Sequence, residues 1–147
     1  MHRRKTFLAL PALVAATPGK ARAAAKTHRL VLQVSDNDAD KMNAALNVAA
    51  NVSRHYSERG DETEIVVAAF NAGLHMLRTD TSPVKARLES FAQGMPNVTF
   101  EACDNTIQSM KRGEGKDIPI VAQARIVPAG VVSLIELAEQ GWVIVRP

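Results

Sequence analysis

At 147 residues the chain is long enough to bury a core without disulfide or metal staples, and its length favours one domain over two. Hydrophobic side chains at 46% against 22% charged exclude a disordered composition, and 4% aromatics argue against a reader of stacked bases. The net charge of +3 is a property of the first 23 residues, which hold five of the 18 basic side chains and none of the 15 acidic ones; the remaining 13 against 15 give a formal −2 and no electrostatic claim on nucleic acid.

Those first residues have the three parts of an export signal. His2 to Lys5 is a charged start, Phe7 to Ala16 a short apolar run, and Ala21-Arg22-Ala23 a small-x-small cleavage site. The apolar run is about half the roughly 20 residues of a membrane span, and Pro11 interrupts it. Residues 1–23 therefore read as a cleavable signal peptide and residues 24–147 as a single periplasmic domain with no membrane span after cleavage. Arg3-Arg4 suggests the twin-arginine route, but Phe7-Leu8 sits one residue farther on than the usual pattern, so Sec and twin-arginine export both stay open.

Leu30 to Ser35 is a short apolar run of strand length. Ser35-Asp36-Asn37-Asp38 follows as a cluster of capping residues, and Met42, Ala45, Leu46, Ala49, Val52 and Tyr56 recur at helical spacing until Gly60. Glu64 to Phe70 is a second strand, and Asn71-Ala72-Gly73 turns into a short helical segment over Leu74 to Leu77. Ser82-Pro83 predicts a helix start, with the hydroxyl as N-cap and proline at the first position, and Gly94 with Pro96 stops that helix.

Val98 to Ala102 is a third strand that delivers Cys103, followed by a short helix over Asn105 to Lys111 and a loop from Gly113 to Lys116. Ile118 to Ala122 stays open between helix and loop because of Pro119. Arg125 to Val127 is a brief strand, Pro128-Ala129-Gly130 opens an amphipathic helix with Val131, Leu134, Ile135 and Ala138, and Trp142 to Val145 is a last strand. The alternation of five strands with helices predicts an α/β fold, a three-layer α/β/α arrangement around a mainly parallel sheet of flavodoxin- or Rossmann-like topology. Ligands of such sheets bind beyond the carboxyl ends of the strands. Four segments meet that description: 35–38, 71–73, 103–106 and 128–130.

Cys103 is the only cysteine, so no disulfide can close within the chain. A lone thiol in an exported protein is unexpected. It stands at the end of a strand and just before a helix, whose free N–H groups favour the thiolate, the nucleophilic form. Asp104 opposes this by its charge, whereas Asn105 and Thr106 can cap the helix or donate to the sulfur. Either this is a reactive thiol or it is a buried cysteine that only fills space. His75 follows the Asn71-Ala72-Gly73 turn and could reach the same rim, which would make a Cys-His pair. His28 and His55 read as surface residues.

No phosphate-binding glycine loop, H-E-x-x-H, paired-cysteine or G-x-S-x-G motif occurs, so no cofactor and no metal are expected. Asp36, Asp38 and Asp40 alternate as in a calcium loop but lack its glycine and distal glutamate, and helix capping accounts for them. Lys111, Arg112 and Lys116 form a small basic patch that could steer an anion or simply be a solvated loop.

Taken in order, Ser35-Asp36-Asn37-Asp38, Phe70-Asn71-Ala72-Gly73-Leu74, Phe100 to Thr106, Ile126 to Val132 and Gly141 to Pro147 give the chain from Arg29 to Pro147 a character that resembles the DsrE/DsrF-like sulfur-relay family, in particular its YchN-like branch. The resemblance implies an α/β/α fold assembled into homo-oligomers, trimers or hexamers. It also implies a cysteine at the position of Cys103 that carries sulfane sulfur as a persulfide, received from and passed to a donor or acceptor protein or a small sulfur compound. Asn37, Asn71, Gly73, His75, Asn105 and Thr106 are the accompanying binding candidates. The branch often has glycine where Asp104 stands. The reading from another class is an oligomeric binding module without catalysis, in which the cysteine is incidental.

Overall fold

The structure, a computed structural model, describes residues 23–147; the expected signal peptide lies outside the described residues apart from Ala23. The elements run β1 (Thr27–Val34), α1 (Ala39–Glu58), β2 (Glu62–Ala69), a 3-10 helix (Asn71–Leu77), α2 (Lys85–Gly94), β3 (Val98–Cys103), α3 (Asp104–Glu114), β4 (Ala124–Val127), α4 (Gly130–Glu139) and β5 (Val143–Val145). The five strands form one parallel sheet in the order β4-β3-β2-β1-β5. The chain thus winds in one direction from β1 to β4 and then crosses back beyond β1, so the order reverses between β1 and β5. This is the expected three-layer α/β/α fold.

The period-2 alternation of strands sorts side chains between two unequal layers. Leu32, Val34, Ile65, Val67, Ala69, Val98, Phe100 and Ala102 face α1, α2, α3 and the 3-10 helix and make the larger core with Met42, Leu46, Leu74, Leu88, Phe91 and Ile107. Val31, Val66, Ala68 and Cys103 face the opposite way, where among the described residues α4 is the only covering helix and contributes Leu134. Strands buried on both faces read as near-continuous apolar runs, which is why β1 and β2 were recognisable without alternation.

Local chemistry sets the boundaries. Asp38 caps α1, its Oδ1 accepting the Asp40 and Lys41 N–H groups at 2.9 and 3.1 Å, while Asp36 pairs with Lys41 at 2.6 Å and Arg146 at 2.7 Å. These aspartates are caps and ion-pair partners, as the capping argument requires. Gly73 lies against the end of β1 so closely that an added Cβ would sit 2.2 Å from the Val34 carbonyl oxygen.

Two expectations are corrected. The helix foreseen from Ser82-Pro83 begins at Lys85, because the Ser82 hydroxyl donates to the Met76 carbonyl at 2.5 Å and accepts the Val84 N–H at 3.3 Å, closing a turn before the helix. His28 is half-buried, not solvated: its ring stacks on Tyr56 at 3.6 Å and meets Asp61 at 3.3 Å. Among the described residues no helix is long and apolar enough to cross a membrane.

A cation is held inside the fold. Arg78, 1% exposed at the end of the 3-10 helix, donates to Asp80 at 2.9 and 2.8 Å and to Glu114 of α3 at 2.5 and 3.0 Å. Hydrogen bonding to Arg78 lowers both carboxyl groups, Asp80 from its ordinary 3.8 to about 2. A carboxyl lowered by folding contributes stability that is complete above its unfolded value and is lost as pH falls through its folded one. Denaturant midpoints measured along an acid series are expected to drop from near 4 down to about 2, and Arg78→Met to flatten that part of the profile; an equally steep profile in the variant would contradict this role.

Candidate functional site

β3 ends at Cys103, and α3 starts at the next residue, so the cysteine is itself the N-cap of α3. Across the sheet it is in register with Val127, the last residue of β4, after which Pro128-Ala129 leads into α4. Asn105 of α3 donates its N–H to the Pro128 carbonyl at 3.3 Å, tying the starts of the two helices together. The starts of both helices thereby border the cleft that Cys103 lines.

The side chain is 5% exposed and lies on the wall of a 390 Å³ cleft with Phe70, Asn71, Asn105, Thr106 and Gly130. The remaining lining residues are Ser109, Met110, Ala129 and Val131, so no charged side chain lines the cleft. Burial raises the thiol pKa, but the neighbouring Thr106 hydroxyl and the Gly130, Thr106 and Asn105 N–H groups outweigh it and leave the thiol below its ordinary value, although the sulfur, as N-cap of α3, accepts no close hydrogen bond from that helix. The physical cause is the one expected of helix N-termini: unpaired N–H donors and aligned peptide dipoles favour negative charge. The carboxylate of Asp104 is occupied elsewhere, accepting from the Gln108 side chain at 3.1 Å.

Thr106 is central to this arrangement. It is 9% exposed, lines the cleft with Cys103, and its Oγ1 accepts the Asn71 N–H at 3.0 Å. Asn71 stands at φ +50°, a left-handed conformation that asparagine tolerates better than most residues. That turn aims its N–H at Thr106. The cleft therefore brings together Cys103, Asn71, Asn105 and Thr106 of the candidates named from sequence.

It does not bring in the others. His75 points away, its Nδ1 at 2.8 Å from the Thr81 hydroxyl, because the 3-10 helix begins at Asn71 and carries residue 75 round toward the following turn. The expected Cys-His pair is not formed. Asn37 is exposed in the loop after β1, two strands from β3, or roughly 10 Å across the sheet. Gly73 has a packing role against β1.

The basic patch is largely neutralised, Lys111 by Asp117 at 2.5 Å and Lys116 by Asp80 and Glu114 at 3.5 and 3.7 Å. Among the described residues no group of three metal-binding side chains occurs. The sequence placed residues 128–130 on the rim but did not single out Gly130 as part of the cleft wall beside Cys103. Its one signal was a glycine at a helix start, where its absent side chain matters: an added Cβ would lie 3.0 Å from Phe70.

Removing the Thr106 hydroxyl tests its effect on the sulfur directly. Thr106→Val is expected to slow alkylation of Cys103 at mildly acidic pH several-fold, since the neutral thiol is then favoured. An unchanged rate in the folded variant would show that the hydroxyl does not hold the thiolate.

No family model matches the chain, and no curated protein matches it. Among solved structures it is similar to MTH1491 of Methanobacterium thermoautotrophicum, a protein of unknown function, with 27% identity and a TM-score of 0.61 over 82% of this chain and 99% of that one. That likeness supports the architecture described above and adds no activity to it.

Proposed function

We propose that the protein is a sulfur carrier of the DsrE/DsrF-like kind, exported to the periplasm, in which Cys103 receives sulfane sulfur and hands it on. The observation that carries this reading is the position of the chain's one thiol, at the wall of an uncharged cleft bordered by the starts of two helices. The Cys103 thiolate attacks the outer sulfur of a persulfide or polysulfide donor. The donor's S–S bond breaks, its remaining sulfur leaves as a thiolate, and a Cys103 persulfide forms. Attack by an acceptor thiolate on the outer sulfur reverses the exchange and returns the Cys103 thiolate. Sulfur is transferred at constant oxidation level, so neither step needs an oxidant or a metal.

The cleft suits such a reagent. It offers no cation to recognise a sulfonate or phosphate, but it does offer donors for a small anion and the polarisable Met110. Incubation with inorganic polysulfide is expected to add the mass of one sulfur atom to the wild-type protein and none to Cys103→Ser. Equal mass gain in both would end the carrier reading in favour of a binding module with an incidental cysteine.

We also propose that the carrier is a homo-oligomer, a trimer or hexamer. Ile126 of β4, Val131, Val132 and Ile135 of α4 and Val143 of β5 are each 50% or more exposed, all on the thinly covered side of the sheet or its edges. Monomers rarely leave so many large apolar side chains together in water. Light scattering is expected to give a multiple of the chain mass, and Ile135→Glu to reduce it; a wild-type monomer would overturn this assembly.

A further inference from the structure

Two residues before Cys103, on the same face of β3, a carboxylate is buried that the site described above does not use. Glu101 is 1% exposed. Its Oε1 accepts from Arg125, its register partner on β4, through Nε at 3.1 Å and through Nη2. Its Oε2 accepts the hydroxyl of Ser133, in the first turn of α4, at 2.5 Å. Both oxygens are thus committed, one to the neighbouring strand and one to the helix. An apolar residue at 101 would fill the same space beneath α4 without an ion's desolvation cost, so the charge asks for a reason beyond packing.

The geometry supplies one. α4 is held on this face by little else near its start: Leu134 is buried, but Val131, Val132 and Ile135 are exposed. Ser133 stands three residues after Gly130, which lines the same cleft wall as Cys103. The Ser133 N–H closes the first helical hydrogen bond, to the Ala129 carbonyl, at 3.0 Å. Fixing Ser133 therefore fixes the turn that presents Gly130. Ala129 lines both the Cys103 cleft and a second cleft, of 360 Å³, that Glu101, Arg125 and Ser133 also line.

We propose that Glu101, clamped by Arg125, is a positioning residue: through Ser133 it seats the first turn of α4 over Cys103 and so sets the reactivity of that sulfur. This rests on the carrier reading of the site, which it deepens by naming what tunes the carrier. The charged groups on the elements around the sulfur are Glu101 on β3, Arg125 on β4, Asp104, Lys111, Arg112 and Glu114 on α3, and Glu136 and Glu139 on α4, and none of them lines the Cys103 cleft. The clamp accordingly acts through the position of an N–H group. Its own charge is neutralised by Arg125.

Ser133→Ala tests this, because alanine is the better helix former and removes only the hydroxyl. The rate of Cys103 alkylation by iodoacetamide at mildly acidic pH is expected to fall roughly 3- to 10-fold, the worth of moving one N–H donor away from an anion. The pH profile should move to higher pH, and Ser133→Thr should restore it. A folded Ser133→Ala protein with the wild-type profile would overturn the proposal.

A second readout needs no variant: in the wild-type protein the Gly130 amide proton resonance should move as Cys103 titrates, and a resonance that ignores that titration would equally overturn it. Neither readout involves sulfur loading. A displaced profile without persulfide formation would overturn the carrier reading alone, and persulfide formation with an undisplaced profile would overturn the clamp alone.

Discussion

Burying a thiolate is costly, and the whole candidate site is organised around offsetting that cost with N–H and O–H donors rather than with a cation. The Asn105 and Thr106 N–H groups come from the start of α3, the Gly130 N–H from the start of α4, and the Thr106 hydroxyl adds a fourth donor. A parallel sheet makes the convergence possible, since every strand ends on the same rim and every following helix starts there. β3 and β4 are neighbours, so their two helices start side by side. The uncharged cleft keeps that field undiluted by counter-charges, because donors in a water-poor setting act more strongly than in bulk water.

The asymmetry of the layers matters to the same site. α1, α2 and α3 seal one face with a continuous apolar core, while among the described residues α4 alone covers the other. A face covered by a single helix leaves the cleft open beside Cys103 and leaves apolar side chains of α4, β4 and β5 in solvent. Reactivity and assembly are thus proposed for the same side of the molecule, and Val131 belongs to both the cleft wall and the exposed apolar surface.

Much of this was legible in the residue order. Short apolar runs marked the strands, and a cysteine between a strand and a helix marked the site. Asp38 declared itself as a cap, and Thr106 and Asn105 were placed beside the sulfur by adjacency alone. What stayed hidden depended on pairing across the sheet. Nothing in the sequence says that Arg125 lies in register with Glu101, so Glu101 passed as one polar residue in a strand. The direction of His75 was equally unreadable, since it turns on a 3-10 segment that begins at Asn71 and not at Leu74. Ser82 failed as a helix cap because its hydroxyl was taken by a carbonyl six residues earlier.

The account stands on Cys103 being more acidic in the folded protein than in the unfolded chain. Because it is the sole cysteine, ultraviolet absorbance of the thiolate can be titrated without interference from other thiols, in the native protein and again in denaturant. The native midpoint is expected below the unfolded one, as the four donors require. A native midpoint at or above the unfolded value would mean that burial wins, and that the sulfur is filling space.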